Sequence, residues 1–501
     1  MFKSIKADKD SYITDKVVSN TRRTVSNTGN AGTLDVFKLY GASFSGSIPN
    51  TEKSRALLHF DLDPLRELVR DNQIDINKQS FWCKLKLHDV YGGQPTPANF
   101  VLSLFPLSAS FDEGVGRDVS YYSDKDACNW ISSSFGVNWI APGASAGGFS
   151  TSSVDYITSS PNIPVTEVTQ TFKTGTEDLL IDVTAIVSAT LSKELPDSGF
   201  RLSFASQLEA DQKTYFVKRF ASRSAFDERK HPQLVFGFDD SIRDDTPNLS
   251  FNHAQRIVLY NYIGDSLENL TSGSNQAAVL GSNCLFLMLT ATSSLGSYTQ
   301  YFTGSQYSYD APSTAFVSGT YYSDVTVLRS DQYIANSLSI SGSVKLTPVW
   351  MSLDKTVPYA TGSVLQFNLP SSTSARSTDR FTVSVNNVSE QYTQGDLAFA
   401  RLNIFDQTTP YVKVVRLPVE LPGIVVKNAY YQIRNSVTDE ILIPFDEDKK
   451  STLVSNDSKG MFFKFDTSCL PSGHSYTIDI LIDRNGIKTR YPASSPNFRV
   501  V

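Results

Sequence analysis

The residues of this chain that could do chemistry are scattered. His59 stands inside one apolar run and His88 at the end of another, and neither has the HxH or HExxH spacing that puts two imidazoles on one metal. Both read as structural histidines. Asp112 and Glu113 are adjacent carboxylates, the residue types a glycosidase pairs across a scissile bond. Asp and Glu total 51, however, so such neighbours are expected on any solvated surface. Asp239, Asp240, Asp244 and Asp245 offer hard oxygens of the kind Ca²⁺ takes, but without EF-hand spacing, and they read as a solvated acidic linker ended by Pro247. No GxxxxGK[ST] and no Cys in a recognisable setting with His is present. The expectation is a protein that is not an enzyme, with no metal and no cofactor. Cys83, Cys128, Cys284 and Cys469 form no CxxC pair, so reduced, mostly buried thiols are expected; a Cys83–Cys128 bridge is the alternative in an oxidising setting.

The elements that would position these residues are strands. Residues 54–65, SRALLHFDLDPL, send Leu57, His59 and Asp61 to one side of an extended segment and Leu58, Phe60 and Leu62 to the other. Asp63 then caps a short helix, 64–71, with Pro64 at its first position, where the missing N–H costs nothing. The order of strand, short helix, Gly turn and strand recurs over 179–204, with a helix expected at 183–192. Further strands are expected at 11–14, 34–40, 82–89 and 100–105, the third alternating Leu85 and Leu87 with Lys84 and Lys86. Residues 136–160 read as a long loop. Arg223, between two strands, has a fork that suits loop carbonyls or a carboxylate and reads as structural.

At 501 residues the chain exceeds the roughly 250–300 that one core organises, so several domains are expected. The net charge of −6 is spread without a basic block, which argues against nucleic acid as a partner. No apolar run reaches the ~18 residues of a membrane span, and the first residues lack a signal-peptide core. Assembly in a cytoplasm without membrane insertion is the expectation.

Several segments resemble the DNRLRE family in one order. They are ADKDSYITD (7–15), SRALLHFDLDPLR (54–66), SASFDEGVGRDVSYYSDKDACNWISSS (108–134) with NWIAPG (138–143), IDVTAIVSATL (181–191), LPDSGFRLSF (195–204) and FVKRFASRSAFDERKHPQLVFGFDD (216–240). The resemblance covers about residues 1–240 and implies a jelly-roll β-sandwich similar to carbohydrate-binding modules. The chain departs from the family pattern in the insertions 68–80 and 141–165. In such a module Trp130 and Trp139 are either packing residues or, in the alternative, platforms on which sugar rings stack. Phrases such as DVYGGQPTPANF and VSYYSDKD resemble structural proteins of tailed-bacteriophage virions.

Beyond residue 245 the chain reads as three more β domains, 246–345, 346–422 and 423–501. The first has strands expected at 255–260, 284–290, 321–328 and 337–346. The last two read as immunoglobulin-like or fibronectin-like. In 423–501, Tyr476, Ile478, Ile480 and Ile482 alternate with polar neighbours, Arg484-Asn485-Gly486 suits a tight hairpin, and LPSGHSYTI resembles a tyrosine corner through Leu470, Pro471, Gly473 and Tyr476. In 346–422 a strand is expected at 399–405 with a hairpin through 408–410, and Ala398 stands where a corner Tyr would follow Gly395. The fold class expected is therefore all-β: an N-terminal jelly-roll sandwich followed by further Ig-like or FN3-like sandwiches.

One composition bias points to function. From 271 to 323 the chain carries a single formal charge, Asp310, yet holds Tyr298, Tyr301, Phe302, Tyr307, Tyr309, Phe316, Tyr321 and Tyr322. Charge depletion with Tyr enrichment marks interface cores. The expected function is a non-enzymatic structural component of a tailed-phage virion, in the neck, tail, baseplate or capsid surface, held by other virion proteins and by copies of itself. Its expected contacts are Tyr298, Tyr301, Phe302, Tyr307, Tyr309, Tyr321 and Tyr322. The alternative is an adhesion protein that recognises host glycans through Trp130 and Trp139.

Overall fold

The structure is a computed structural model that describes residues 1–501 except 46–47, 72, 94–96, 124–125, 162, 164–165, 273–275, 309–315, 369–380, 407–423 and 485. The chain is all-β: among the described residues the four α-helices run only five to ten residues each. It divides into two compact units, one of Lys3–Val69 with Phe81–Gly237, the other of Met1–Phe2, Arg70–Ser80 and Phe238–Val501.

The first unit is a two-sheet β-sandwich. One sheet orders Phe2–Lys6, Gln233–Gly237, Trp82–Leu87 and Leu179–Asp182. The other orders Val168–Phe172, Phe100–Pro106, Phe200–Phe204, Ile48–His59, Thr33–Ser45 and Tyr215–Ala221, with Lys9–Thr14 also on Ile48–His59. The first sheet is half-solvated as its alternation requires, with Leu85 and Leu87 buried and Lys84 and Lys86 partly exposed. In the second, register places Leu58, Phe200 and Pro106 side by side, and likewise Leu202 with Ala56 and Leu104, and Phe204 with Leu102. That row is the apolar inner face. Rings run along it, Phe172 stacked on Phe100 at 4.9 Å and Phe100 against Phe204 at 5.4 Å. The short helices lie at Asp63–Arg70 and Thr184–Leu191, within a residue of their expected places.

Within the other unit, residues 249–368 build on one sheet in the order Gln255–Tyr260, Thr320–Val325, Gly296–Gln306, Leu285–Ser293, Ser343–Met351, Pro358–Thr361, with Leu365–Asn368 also on Ser343–Met351. Leu285, Leu287, Leu289, Leu346 and Trp350 share a core with Ile334 and Leu338 of the helix Gln332–Ser341. That helix corrects the strand expected at 337–346. Asp331 accepts from the N–H of Tyr333 (2.9 Å) and of Ile334 (3.3 Å), and Gly342 ends the helix at φ +67°. Cap and stop residues outweigh the local alternation. The strand begins only at Ser343, so the domain break expected at 345 falls inside a strand whose later residues pair with Leu285–Ser293.

The break expected at 423 is corrected as well. Strand Leu397–Asp406 pairs with Phe381–Asn386 on one side and with Gly460–Asp466 on the other, and Ser455–Asp457 completes that sheet. The opposing sheet orders Gln391–Tyr392, Phe498–Val500, Ser475–Arg484, Asn428–Asn435 and Ile441–Ile443, with Ile487–Tyr491 also on Ser475–Arg484. This is one Ig-like sandwich of ABED and A′GFCC′ type, including the parallel pairing of Gln391–Tyr392 with Phe498–Val500. The part of the expected 346–422 module from Phe381 onward and the module expected at 423–501 are thus halves of one domain, while 346–368 belongs to the preceding sheet, and Ala398 is a buried residue of the B strand, Leu397–Asp406, rather than a second corner position. The sequence segments looked separate because each sheet draws strands from both sides of 407–423. The hairpin expected at 408–410 lies outside the described residues. Arg484 faces Ile487 across the tight hairpin, with Gly486 at φ +81°.

The acidic stretch after Phe238 is packed, which corrects the solvated linker. Asn456 N–H donates to Ile242 O (2.9 Å) and Ile242 N–H to Ser455 Oγ (3.1 Å). Asp244 is buried, accepts from Thr246 N–H at 3.0 Å, and is pushed up to about 6 by burial.

Candidate functional site

Two surfaces carry the residues singled out from sequence. In the first unit, the outer face of the second sheet holds Ile13, Arg55, Leu57, Phe105, Arg201 and Ser203, which the registers place opposite one another. The chain's own segment covers it. Leu107, Phe111, Cys128, Trp130, Trp139 and Ala144 form a second small core with Ile13 and Leu57. Residues 136–160 are therefore an ordered cover, with short pairings of Val137–Asn138 to Ser132–Ser134 and of Gly147–Phe149 to Tyr156–Ser159.

Trp130 and Trp139 are 8% and 5% exposed. Trp139 Nε1 donates to Asn129 O at 2.9 Å, and the Arg55 guanidinium lies 5.2 Å from the Trp130 ring centroid. Rings committed to a core cannot stack on a sugar, so the glycan contacts expected at Trp130 and Trp139 are corrected to packing residues. Gly143, at φ +80°, passes so close that a Cβ would lie 2.6 Å from the Trp130 ring.

Charged groups beneath the cover are paired for structure. Arg55 Nε and Nη2 grip Glu209 at 3.0 and 2.6 Å, and Arg55 also donates to Gly143 O. That pairing holds the Glu209 carboxyl below its usual range against the opposing effect of burial. Arg201 lies over the Tyr156 ring at 4.3 Å and donates to Ser203 Oγ at 3.0 Å; burial, and then repulsion from Arg55, pull it down to about 9. Asp155 was missed from sequence. Its carboxylate accepts from the N–H groups of Ile140 (2.7 Å), Ala141 (3.0 Å) and Ala146 (2.9 Å), so one buried side chain fixes the fold of the cover. An Asp among Gly and Ser in a loop was the available signal. Arg223 is structural as expected, donating to Glu113 at 2.6 Å, while Glu113 accepts from Asp10 N–H at 2.8 Å. His59 Nδ1 meets Asp8 at 2.7 Å, and His88 Nδ1 meets Asp178 at 3.2 Å. Among the described residues no cluster of three metal-ligating side chains occurs.

The second surface is the Tyr-rich sheet of 249–368. The structure does not bring its aromatic residues together on one accessible face. Tyr298 and Tyr321 are in the domain's own core, and Phe302 packs against it. Tyr321 is a tie: its hydroxyl accepts from Leu270 N–H (2.9 Å) and donates to Val279 O (2.8 Å). Tyr307 is buried, donating to Ser241 O at 3.0 Å. Assignment of Tyr298 and Tyr321 to an assembly interface is corrected because period 2 sends them inward, and that of Tyr307 because the segment of Ser241 and Arg243 bonds its hydroxyl and Tyr322 packs on its ring at 5.7 Å. Tyr301 and Tyr322 lie on the opposite face, Tyr301 at 39% exposure and Tyr322 under Arg256 at 4.0 Å. Tyr309 lies outside the described residues.

That outer face also holds residues the Tyr count did not reveal. Register sets Met288 between Tyr301 and Val349, and Phe286 between Thr303 and Met351. The signal was LFLML at 285–289, apolar at both parities.

No family model matches the chain, and no curated protein matches it. Among solved structures, a fragment of titin titled "Anomalous substructure of Titin-A168169" is similar over 53% of this chain and 97% of its own, at 5% identity and a TM-score of 0.15. The fold assignment rests on the sheet orders given above, not on that likeness.

Proposed function

We propose that the chain is a non-enzymatic structural component of a tailed-phage virion that acts through contacts with other virion proteins. The observation that carries the reading is the partly exposed apolar face around Phe286, Met288 and Tyr301 in a segment depleted of charge, since sheet faces of this composition suit a partner. The likeness of phrases such as DVYGGQPTPANF and VSYYSDKD to virion structural proteins supports it. So does the use of ionisable groups: Arg55 with Glu209, Arg223 with Glu113, and Lys218 with Asp89 serve as braces under loops.

The test is location. In gradient-purified particles, mass spectrometry should find the chain at a fixed ratio to the major capsid protein, and antibody-gold should mark one part of the particle. A chain that stays in the soluble fraction of the lysate sinks the proposal. The glycan-binding alternative has lost its two tryptophan platforms; a glycan array with the purified chain should remain blank.

A further inference from the structure

The strand Leu285–Ser293 is apolar on both faces over its first five residues, and only one face meets the core. Residues directly opposite in antiparallel strands share a face, so Phe286, Met288, Tyr301, Val349 and Met351 form one contiguous outer patch. All five are partly exposed. The Phe286 and Tyr301 rings meet edge to face at 6.4 Å, and Lys355 Nζ stands 4.9 and 4.3 Å from their centroids. Leu353 and Val357, in the loop that carries Lys355, are 54% and 51% exposed. Thr290 faces Thr299 and Thr347 in the next row, so the patch passes into small polar side chains, not charges.

We propose that this face docks a second copy of itself, sheet against sheet, in a twofold dimer. Charge selects that occupant, and size sets its strength: four strands ~4.8 Å apart and some six residues of ~3.4 Å each cover roughly 400 Å² per copy, the scale of a weak, reversible contact. The loop at the rim carries adjacent charges of opposite sign, Asp354 and Lys355, both exposed. Asp354 is anchored by Ser352 Oγ and by Thr356 N–H at 3.1 Å, so its position is fixed. A twofold axis along the strands brings this loop against its own copy, where Lys355 of each meets Asp354 of the other. An isologous contact demands such self-complementarity, and two neighbouring residues supply it. Lys345, at the far end of its strand, falls where the ~30° crossing of packed sheets carries the edges apart. The inference stands on the face itself and does not depend on the virion reading.

Sedimentation velocity on the full chain tests it. Over about 1–100 µM a reversible monomer–dimer equilibrium is expected, with a micromolar Kd. Met288→Lys and Val349→Glu each place a charge at the centre and should weaken association roughly tenfold or more. Lys355→Asp and Asp354→Lys should each weaken it several-fold, and the two together should restore it to within about threefold, because the exchange regenerates the reciprocal pairs. A chain that stays monomeric throughout, or a dimer indifferent to Met288→Lys, overturns the proposal. Should the central variants fail to fold by circular dichroism, the loop exchange decides, with no rescue by the double variant counting against it. A face that gains exchange protection only when a different protein is added belongs to that partner and also overturns it.

Discussion

The Tyr476 hydroxyl donates to the carbonyl oxygen of Pro471 at 2.6 Å, closing the turn that leads from strand Gly460–Asp466 to strand Ser475–Arg484. Tyr476 is fully buried beside Phe498, ring centroids 5.8 Å apart, so the donor's end of this part-buried bond is held in place by packing. Tyr476→Phe keeps the ring and strands the carbonyl. A loss of about 1–2 kcal/mol is expected for the Ig-like sandwich, read as faster hydrogen exchange across Gly460–Asp466 and Ser475–Arg484. Unchanged exchange there would mean that the hydroxyl contributes nothing to the corner.

Asp10 should make stability depend on pH. Burial pushes its carboxyl up to about 7, and the Glu113 carboxylate beside it adds to the rise, against the Arg223 N–H that donates to it at 2.6 Å. A carboxyl with a folded pKa above its unfolded value favours the fold when protonated. Its contribution is whole below about pH 4 and is lost as pH climbs to about 7. Asp10→Asn should therefore be more stable than the parent at pH 8, by about 1–4 kcal/mol, with the advantage fading toward pH 4. Urea midpoints across that range are the measurement; an advantage that does not change with pH would contradict it.

Asp155→Ala should release the cover without unfolding the sandwich. Three N–H groups lose their acceptor at once, a local cost of about 2–4 kcal/mol. Limited proteolysis is expected to cut between 140 and 150 in the variant while the parent resists. Equal resistance would show that packing around Trp130 and Trp139 holds the segment alone.

None of the four cysteines is in a disulfide; Cys83, Cys128 and Cys469 are buried and Cys284 is half-buried. Burial pushes the Cys83 and Cys284 thiols up, which slows reaction further. Alkylation of the folded chain should label Cys284 first and the rest only on denaturation. A Cys83–Cys128 peptide in a non-reduced digest would refute this.

What could be read from sequence was whatever lies along one strand or one turn. The alternation at Lys84–Leu87 and the tyrosine corner at Tyr476 were visible because pleat and turn chemistry are local. Domain limits were not, because the Ig-like sandwich pairs Leu397–Asp406 with Gly460–Asp466, and no local pattern records a partner sixty residues away. The tyrosines misled for a similar reason. Composition counts Tyr298, Tyr301, Tyr321 and Tyr322 alike, while the register sends two of them inward and two out. His59 and Arg223 could be assigned structural roles in advance and the tryptophans stayed open between packing and sugar stacking, but the acceptors that hold them, and Asp155, come from segments whose course only the folded chain reveals.

The excursion Arg70–Ser80 belongs to the same unit as Phe238–Val501, although its flanking segments belong to the other. Lys449 Nζ donates to Gln79 O at 2.8 Å across 370 positions of sequence. A ribosome adding roughly 5–20 residues per second needs about 20–75 s to cover that interval. Throughout that time the excursion waits on partners not yet synthesised, so the order in which this protein matures is written into where its chain doubles back.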